Sequence, residues 1–567
     1  MARCCGAGLP RLLPGPPHVA NIVVNEAAER FCYYGLRAIL TLYLTDVLQL
    51  SEAAAVATAS YFIAGSYLSP LLGGFVADAY LGRYATILAF CSIYLLGTLV
   101  LAGGAFAGAA LSLRLAGLYG GLALVALGTG GIKANIAPFG VDQLVGFADV
   151  DTTSFFLVFY ASINCGSLLT YAVMPVARAR AGFGAAFSLP AGALLLSILV
   201  FLAASRKYTR QPPSGSIFTR SWRVLAAALG RPRGEGEPLI KPASAAMAAT
   251  GSGGSMVSNP LGGGGSGAAF ASPASPLSPS STLLSASTPG ATATTAAMLT
   301  GTFLDRARGA AGVADSDVVD LVAVMRIAPI FLVLPFFWSL YDQTSTTWTL
   351  QARRLNRGGI EPDQVQILNP LLVVCFVPLF DAAVRRLSAL PRRWSWLRPT
   401  PLRRMTAGCF LTAFAFALSG ILESAVAAAA PGAAPPSVAW QVPQFVVLSI
   451  AELCVSTTGL EFAFREAPPS SKGLVMALFF LTSTAGNLMS AAIFSAVDGV
   501  LNNSQIIWLF TGLMLCASCL FAVVAARYKP AVPEPEPVEA ASAVAVAGPA
   551  ADLELTAKAS GGVASWE

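Results

Sequence analysis

Glu26, Glu29, Arg30, Tyr33 and Arg37 recur at i, i+3, i+4, i+7 and i+11 inside the first long apolar stretch of the chain. At about 100° per residue this spacing places them on one face of a helix with Tyr34 at its edge, and the other face is Ala, Val, Ile and Leu. An ionisable residue at the centre of a spanning helix costs about 2.5–3.5 kcal/mol, so the charged face must look into a bundle interior or a watery cavity. A structural ion pair between Glu26 and Arg30 accounts for two of these charges and leaves Glu29 and Arg37 without a reason. The cluster therefore reads as functional.

The rest of the chain must position that face. It is 55% hydrophobic and 11% charged, with a mean hydropathy of +0.67, against about 25% charged residues in a soluble domain. This is the composition of a polytopic membrane protein. The net charge of +6 comes from basic clusters lying between apolar segments, which are topology signals and not a nucleic-acid surface. Apart from Cys4 and Cys5, the cysteines fall within apolar segments, so no disulfide framework or metal site is expected. Cys4-Cys5 is either a juxtamembrane acylation site or an inert pair. No catalytic triad or nucleotide motif is present, so neither an enzyme nor a cofactor is expected. The first apolar segment is too long and too charged for a cleavable signal and should remain as a span.

Windows of about 20 apolar residues place spans near 20–47, 53–77, 84–106, 114–137, 154–176 and 184–204, then near 322–346, 366–387, 404–427, 440–463, 473–497 and 505–527. The expected fold is all-α, with twelve transmembrane helices in two six-helix halves around a central site. The layout is an N-terminus at 1–19, bundles at 20–204 and 321–528, a flexible linker at 205–320 and a disordered tail at 529–567. Gly262-Gly263-Gly264-Gly265-Ser266 typifies the linker, and Pro533-Glu534-Pro535-Glu536-Pro537 the tail. Basic residues crowd the start of the linker and the connection near Arg385–Arg404, on the side of both termini. That side is expected to be cytoplasmic.

Several motifs carry a family resemblance. Glu26-x-x-Glu29-Arg30-Phe31-x-Tyr33-Tyr34-Gly35 resembles the signature of the proton-coupled oligopeptide transporters of the major facilitator superfamily, closest to their animal-type members. Gly128-Thr129-Gly130-Gly131-Ile132-Lys133-Ala134-Asn135 is similar to the family's fourth span, and Phe159-Tyr160-Ala161-Ser162-Ile163-Asn164 to its fifth. Phe337-Trp338-Ser339-Leu340-Tyr341-Asp342-Gln343 resembles the seventh span, Asn369 with Val377-Pro378-Leu379-Phe380-Asp381 the eighth, and Glu452 with Gly459-Leu460-Glu461-Phe462 the tenth. Departures are Ser60 where animal members carry a histidine, a short connection near Pro431–Ser437, and Leu460 and Phe479 at tryptophan positions. With His18 as the only histidine, carboxylates are left as the titrating groups.

The resemblance implies a symporter of di- and tripeptides with protons, driven by the proton gradient without a cofactor. The alternatives are a carrier of nitrate or another small solute, or a non-transporting nutrient receptor. Arg37 and Lys133 would hold the peptide carboxylate, and Glu452 and Asn369 its ammonium. Tyr34, Tyr67, Asn164, Trp338, Ser456 and Phe479 would line the path, with packing as the competing reading of each ring. Arg37–Asp342 would be the outer gate and Lys133–Glu452 the inner one, although Lys133 and Glu452 also admit a permanent structural pairing. Glu26, Glu29, Arg30 and Lys133 form the proton-coupling cluster. The chain is expected in the plasma membrane, or alternatively an endomembrane, with peptides, protons and lipid as its partners and no required protein partner. Glu461 with Arg465, and Asp78 with Arg83, read as structural pairs.

Overall fold

The computed structural model describes residues 16–106, 108–144, 152–213, 215, 217–230, 303–390, 397–430 and 434–528. Cys4-Cys5, the glycine-serine stretch of the expected linker and the expected tail lie outside the described residues. The chain divides into two units, residues 1–221 with 320–567, and residues 222–319.

Helices account for nearly all regular structure among the described residues, and a single bridge joins Asn356 to Ser437. The N-terminal part of the first unit holds α1 (Val19–Leu42), α2 (Glu52–Val76), α3 (Gly82–Ala105), α4 (Leu111–Asp142) and the long run α5 (Thr152–Ala203). The helix α6 (Ile217–Gly230) lies within the stretch expected to be linker. Its sequence lacks the proline and glycine density of the stretch that follows, which is why an argument from bulk composition passed over it.

The C-terminal part begins with α7 (Asp315–Phe331), α8 (Leu334–Tyr341) and α9 (Thr347–Arg354). It continues with α10 (Leu368–Ser388), α11 (Pro401–Ala427), α12 (Val442–Glu452), α13 (Thr458–Glu466), α14 (Lys472–Val497) and α15 (Asn503–Arg527). The second unit holds a 3₁₀ turn at Phe303–Ala307.

Eight helical runs among the described residues are long and apolar enough to cross a membrane, nine with the bent pair Asp315–Phe331 and Leu334–Arg354 taken as one. Two of these runs contain a change of direction at a left-handed glycine, Gly82 (φ 73°) and Gly182 (φ 82°), a backbone conformation that side chains with a Cβ resist. Dividing them, and adding α1, whose charges disqualify it on composition, gives twelve segments. The 52° bend between α7 and α8 falls beside Pro329 and Pro335, where a missing N–H and the ring interrupt the helical ladder. Between α12 and α13 the chain makes a π-turn, Leu453–Thr457, directly after Glu452.

Each half has its own apolar core. One is built wholly from residues between Val19 and Tyr208. The other is built from the C-terminal helices with Leu42, Ala53, Val56 and Ala57 added at the end where α1 meets α2. Within the N-terminal half, α3 and α4 approach so closely that a Cβ built on Gly104 would lie 2.9 Å from the Cα of Gly117. Between lipid-facing helices, where apolar association with water is absent as a driving force, such close backbone contact supplies the packing. Replacing Gly104 by Val is expected to destabilise the protein by about 1–3 kcal/mol. The same change at Gly103, where nothing lies within 4 Å, should leave the thermal melting curve in detergent close to wild type.

Candidate functional site

The charged face of α1 turns inward as a whole. Glu26, Glu29, Arg30 and Arg37 are all buried. Arg30 lies between the two carboxylates, its Nε 2.8 Å from Glu26 Oε1 and its Nη2 2.5 Å from Glu29 Oε2. Thr129 of α4 donates its hydroxyl to Glu29 Oε1 at 2.6 Å. Two carboxylates thus share one guanidinium, and Glu26 Oε2 is left without a hydrogen-bond partner.

Lys133 sits one helical turn beyond Thr129. Its Nζ has no hydrogen-bond acceptor among the described residues and lies 3.9 Å from the ring centroid of Tyr33 and 4.0 Å from that of Tyr67. Glu452 instead accepts from Asn369 Nδ2 at 2.9 Å. The expected inner pairing of Lys133 with Glu452 is not formed in this conformation.

Arg37 and Glu452 line one cavity of about 130 Å³ together with Tyr34, Asn164 and Asn369. Tyr160, Tyr171, Tyr341, Ser345 and Gln366 complete most of its polar wall. Lys133, Tyr67, Trp338, Ser456 and Phe479 do not line it. Trp338 and Phe479 pack edge to face at 5.9 Å, and Tyr67 packs against Phe480 at 6.3 Å. Ser456 lies in the π-turn that follows Glu452.

At one end of the bundle the halves are tied by charge. Arg37 Nη2 is 2.8 Å from Asp342 Oδ1 and donates to Ser345 Oγ at 3.0 Å, and Asn487 of α14 donates to Asp342 Oδ2 at 2.7 Å. Asp342 is therefore a buried partner. Arg178 forks onto Asp363 and reaches Glu361 at 2.7 Å. Arg353 bridges to Asp46 and Glu52, and Arg354 joins Glu52 of α2 to Glu423 of α11.

Two pairs expected from sequence are replaced by others. Arg83 binds Asp142 at 2.7 Å and not Asp78, and Glu461 takes Arg404 at 2.8 Å and not Arg465. In both cases the partner comes from another helix and not from the neighbour in sequence.

Residues 84–509 match the family described as PTR2: POT family. The chain belongs to the POT family. It is 32% identical over 437 residues to "Peptide transporter family 1" of Drosophila melanogaster, covering 75% of this chain and 50% of that one. It is 30% identical over 438 residues to "Solute carrier family 15 member 2" of Homo sapiens, covering 74% and 51%. The chain thus spans about half the length of the curated relatives it matches. Among solved structures, it is similar to an "auto inhibited POT family peptide transporter" at 29% identity and a TM-score of 0.71, covering 91% of this chain and 98% of that one. It is also similar to the POT family transporter PepTSo at 27% identity and a TM-score of 0.70, covering 90% and 98%. The architecture is the major facilitator fold, in a multi-pass membrane protein.

In this POT-family chain the sequence reading missed Thr129, Tyr171, Ser345, Gln366 and Asn487. Thr129 was within reach, because it precedes Lys133 by four residues on α4. Asn487 and Gln366 carry no local signal, since a polar residue in an apolar helix declares a buried partner without naming it. Removing one side of a buried ion pair costs about 3–5 kcal/mol, so Arg37→Ala should separate the charged ends of the halves. Spin labels at Gln49 and Ile360, on a background lacking exposed cysteines, should report a longer distance than in the parent.

Proposed function

We propose that this chain is a proton-coupled symporter of di- and tripeptides that works by alternating access. The observation that carries this reading is the chamber itself, in which the Arg37 guanidinium and the Glu452 carboxylate line one polar cavity between the halves. A zwitterion taken out of water needs opposite charges at its two ends, because each unpaired charge costs several kcal/mol. Arg37, with Lys133 in reserve, receives the peptide carboxylate. Glu452 and Asn369 receive the ammonium, and Tyr34 and Asn164 contact the backbone between them.

The coupling step belongs to Glu26, Glu29, Arg30 and Lys133. Two carboxylates on one guanidinium leave one negative charge uncompensated, and a proton added to either removes it. Arg30 then keeps the carboxylate that stays ionised, and Lys133 is left to an anion from outside the cluster. In the conformation described, Arg37 and Asp342 close the outer end, and Lys133 and Glu452 are apart, as an inner gate is when open. Trp338, Phe479, Ser456 and Tyr67 belong to walls that substrate meets in other conformations. Residues 20–204 and 321–528 are the moving bundles and 205–320 the linker between them. The termini are cytoplasmic in a plasma-membrane protein, and neither a prosthetic group nor a protein partner enters the scheme.

The deciding experiment is uptake of a labelled dipeptide into proteoliposomes under an imposed pH gradient, with nitrate as the competing solute. Dipeptide flux that collapses with a protonophore is expected. Nitrate flux, or binding without flux, would overturn the reading. Glu26→Gln with Glu29→Gln should abolish gradient-driven uptake while sparing counterflow. Glu452→Gln should raise KM for a free-amine dipeptide by about tenfold or more, and much less for its N-acetylated form.

A further inference from the structure

A buried ammonium normally has a carboxylate or several acceptor oxygens around it. Lys133 is hydrogen-bonded to neither among the described residues, and its Nζ faces two aromatic rings at 3.9 and 4.0 Å. Both distances are well inside the ~6 Å over which a cation is drawn to the negative face of a ring. Taking water away strengthens that attraction. We propose that Tyr33 and Tyr67 are an aromatic clamp that holds the Lys133 ammonium between its carboxylate partners, and that Tyr33 is a positioning residue for Lys133.

Three observations separate this from ordinary packing. The hydroxyl of Tyr33 is buried with no partner, so hydrogen bonding does not explain a tyrosine there, while its ring also faces the Arg37 guanidinium at 5.6 Å. Tyr33 lies on the charged face of α1, three residues after Arg30 and four before Arg37. Tyr67 approaches the same ammonium from α2, and its ring leans on Phe480 of α14 in the opposite half.

The clamp therefore has one jaw fixed beside the proton-coupling cluster and one supported across the bundle interface. Movement of the halves withdraws support from the second jaw and releases Lys133 to an anion. A ring holds a cation without neutralising it, so the ammonium stays competent to take the next carboxylate, whether from the protein or from a substrate.

The transport arm of the test rests on the proposed symport, and the melting arm does not. In thermal melts of the purified chain, Tyr33→Leu should lower the midpoint and Tyr33→Phe should restore it. On a Lys133→Met background the Leu and Phe variants should melt together. Trifluorophenylalanine at position 33 keeps the ring's volume but removes its negative face, and should behave like Leu, which covers the case in which the Leu variant fails to fold. In proteoliposomes, dipeptide uptake should fall about tenfold with Leu or trifluorophenylalanine and recover with Phe. Equal melting of Leu and Phe variants, a Leu deficit that persists undiminished beside Lys133→Met, or insensitivity to fluorination would overturn the clamp. Absence of dipeptide uptake by the wild-type chain would overturn the symport reading, and the melting cycle would still decide the clamp.

Discussion

An ionised side chain inside a bilayer has to be surrounded by partners, and the arrangement of this protein follows from meeting that demand along α1. The three cations near that helix meet it in three ways. Arg30 is shared by Glu26 and Glu29, Arg37 is taken by Asp342 and Ser345 from the other half, and Lys133 is set against two rings. A guanidinium presents several donors in a plane and can bridge two acceptors at once, whereas a lysine ammonium is a point charge that a ring face can accommodate. The chemistry of each residue thus matches the kind of partner it has found.

The same demand separates what is rigid from what can move. Within each half the helices meet through glycines and apolar side chains, as at Gly104 and Gly117, and the two cores are nearly independent. Between the halves, contacts such as Arg37–Asp342, Arg178–Asp363 and Arg354–Glu52 rest on charge. Desolvation offsets most of the attraction in a buried ion pair, so a pair that exchanges one partner for another costs little net free energy. A close-packed apolar core has no such alternative state. Two intact cores joined by ion pairs are what the proposed rocking requires.

Irregular backbone lies beside residues that line the cavity or close one end of it. The bend between α7 and α8 lies before Trp338 and Asp342, and the π-turn after α12 begins at the residue following Glu452. Interrupting a helix inside a membrane exposes backbone groups that lipid cannot satisfy, so such breaks persist where they are buried in protein or line a cavity. The carboxylate of Glu452 is carried at one of these interruptions, facing Asn369.

The helical class of the chain, and the inward face of α1, were legible in the residues alone, because long apolar runs and a 3.6-residue period depend only on local geometry and the cost of charge in lipid. The helix α6 was not, since its composition is diluted by the glycine and serine that follow. Partner choice was not legible either. Local spacing favoured Asp78 for Arg83 and Arg465 for Glu461, and the fold supplied Asp142 and Arg404 instead. Sequence by itself determined that the charges of α1 had to be buried and helical. Only the tertiary structure decided which group each one meets, because an ion pair or a ring contact is set within about 4 Å by the crossing of helices far apart in the chain, and no periodicity along one helix encodes that crossing.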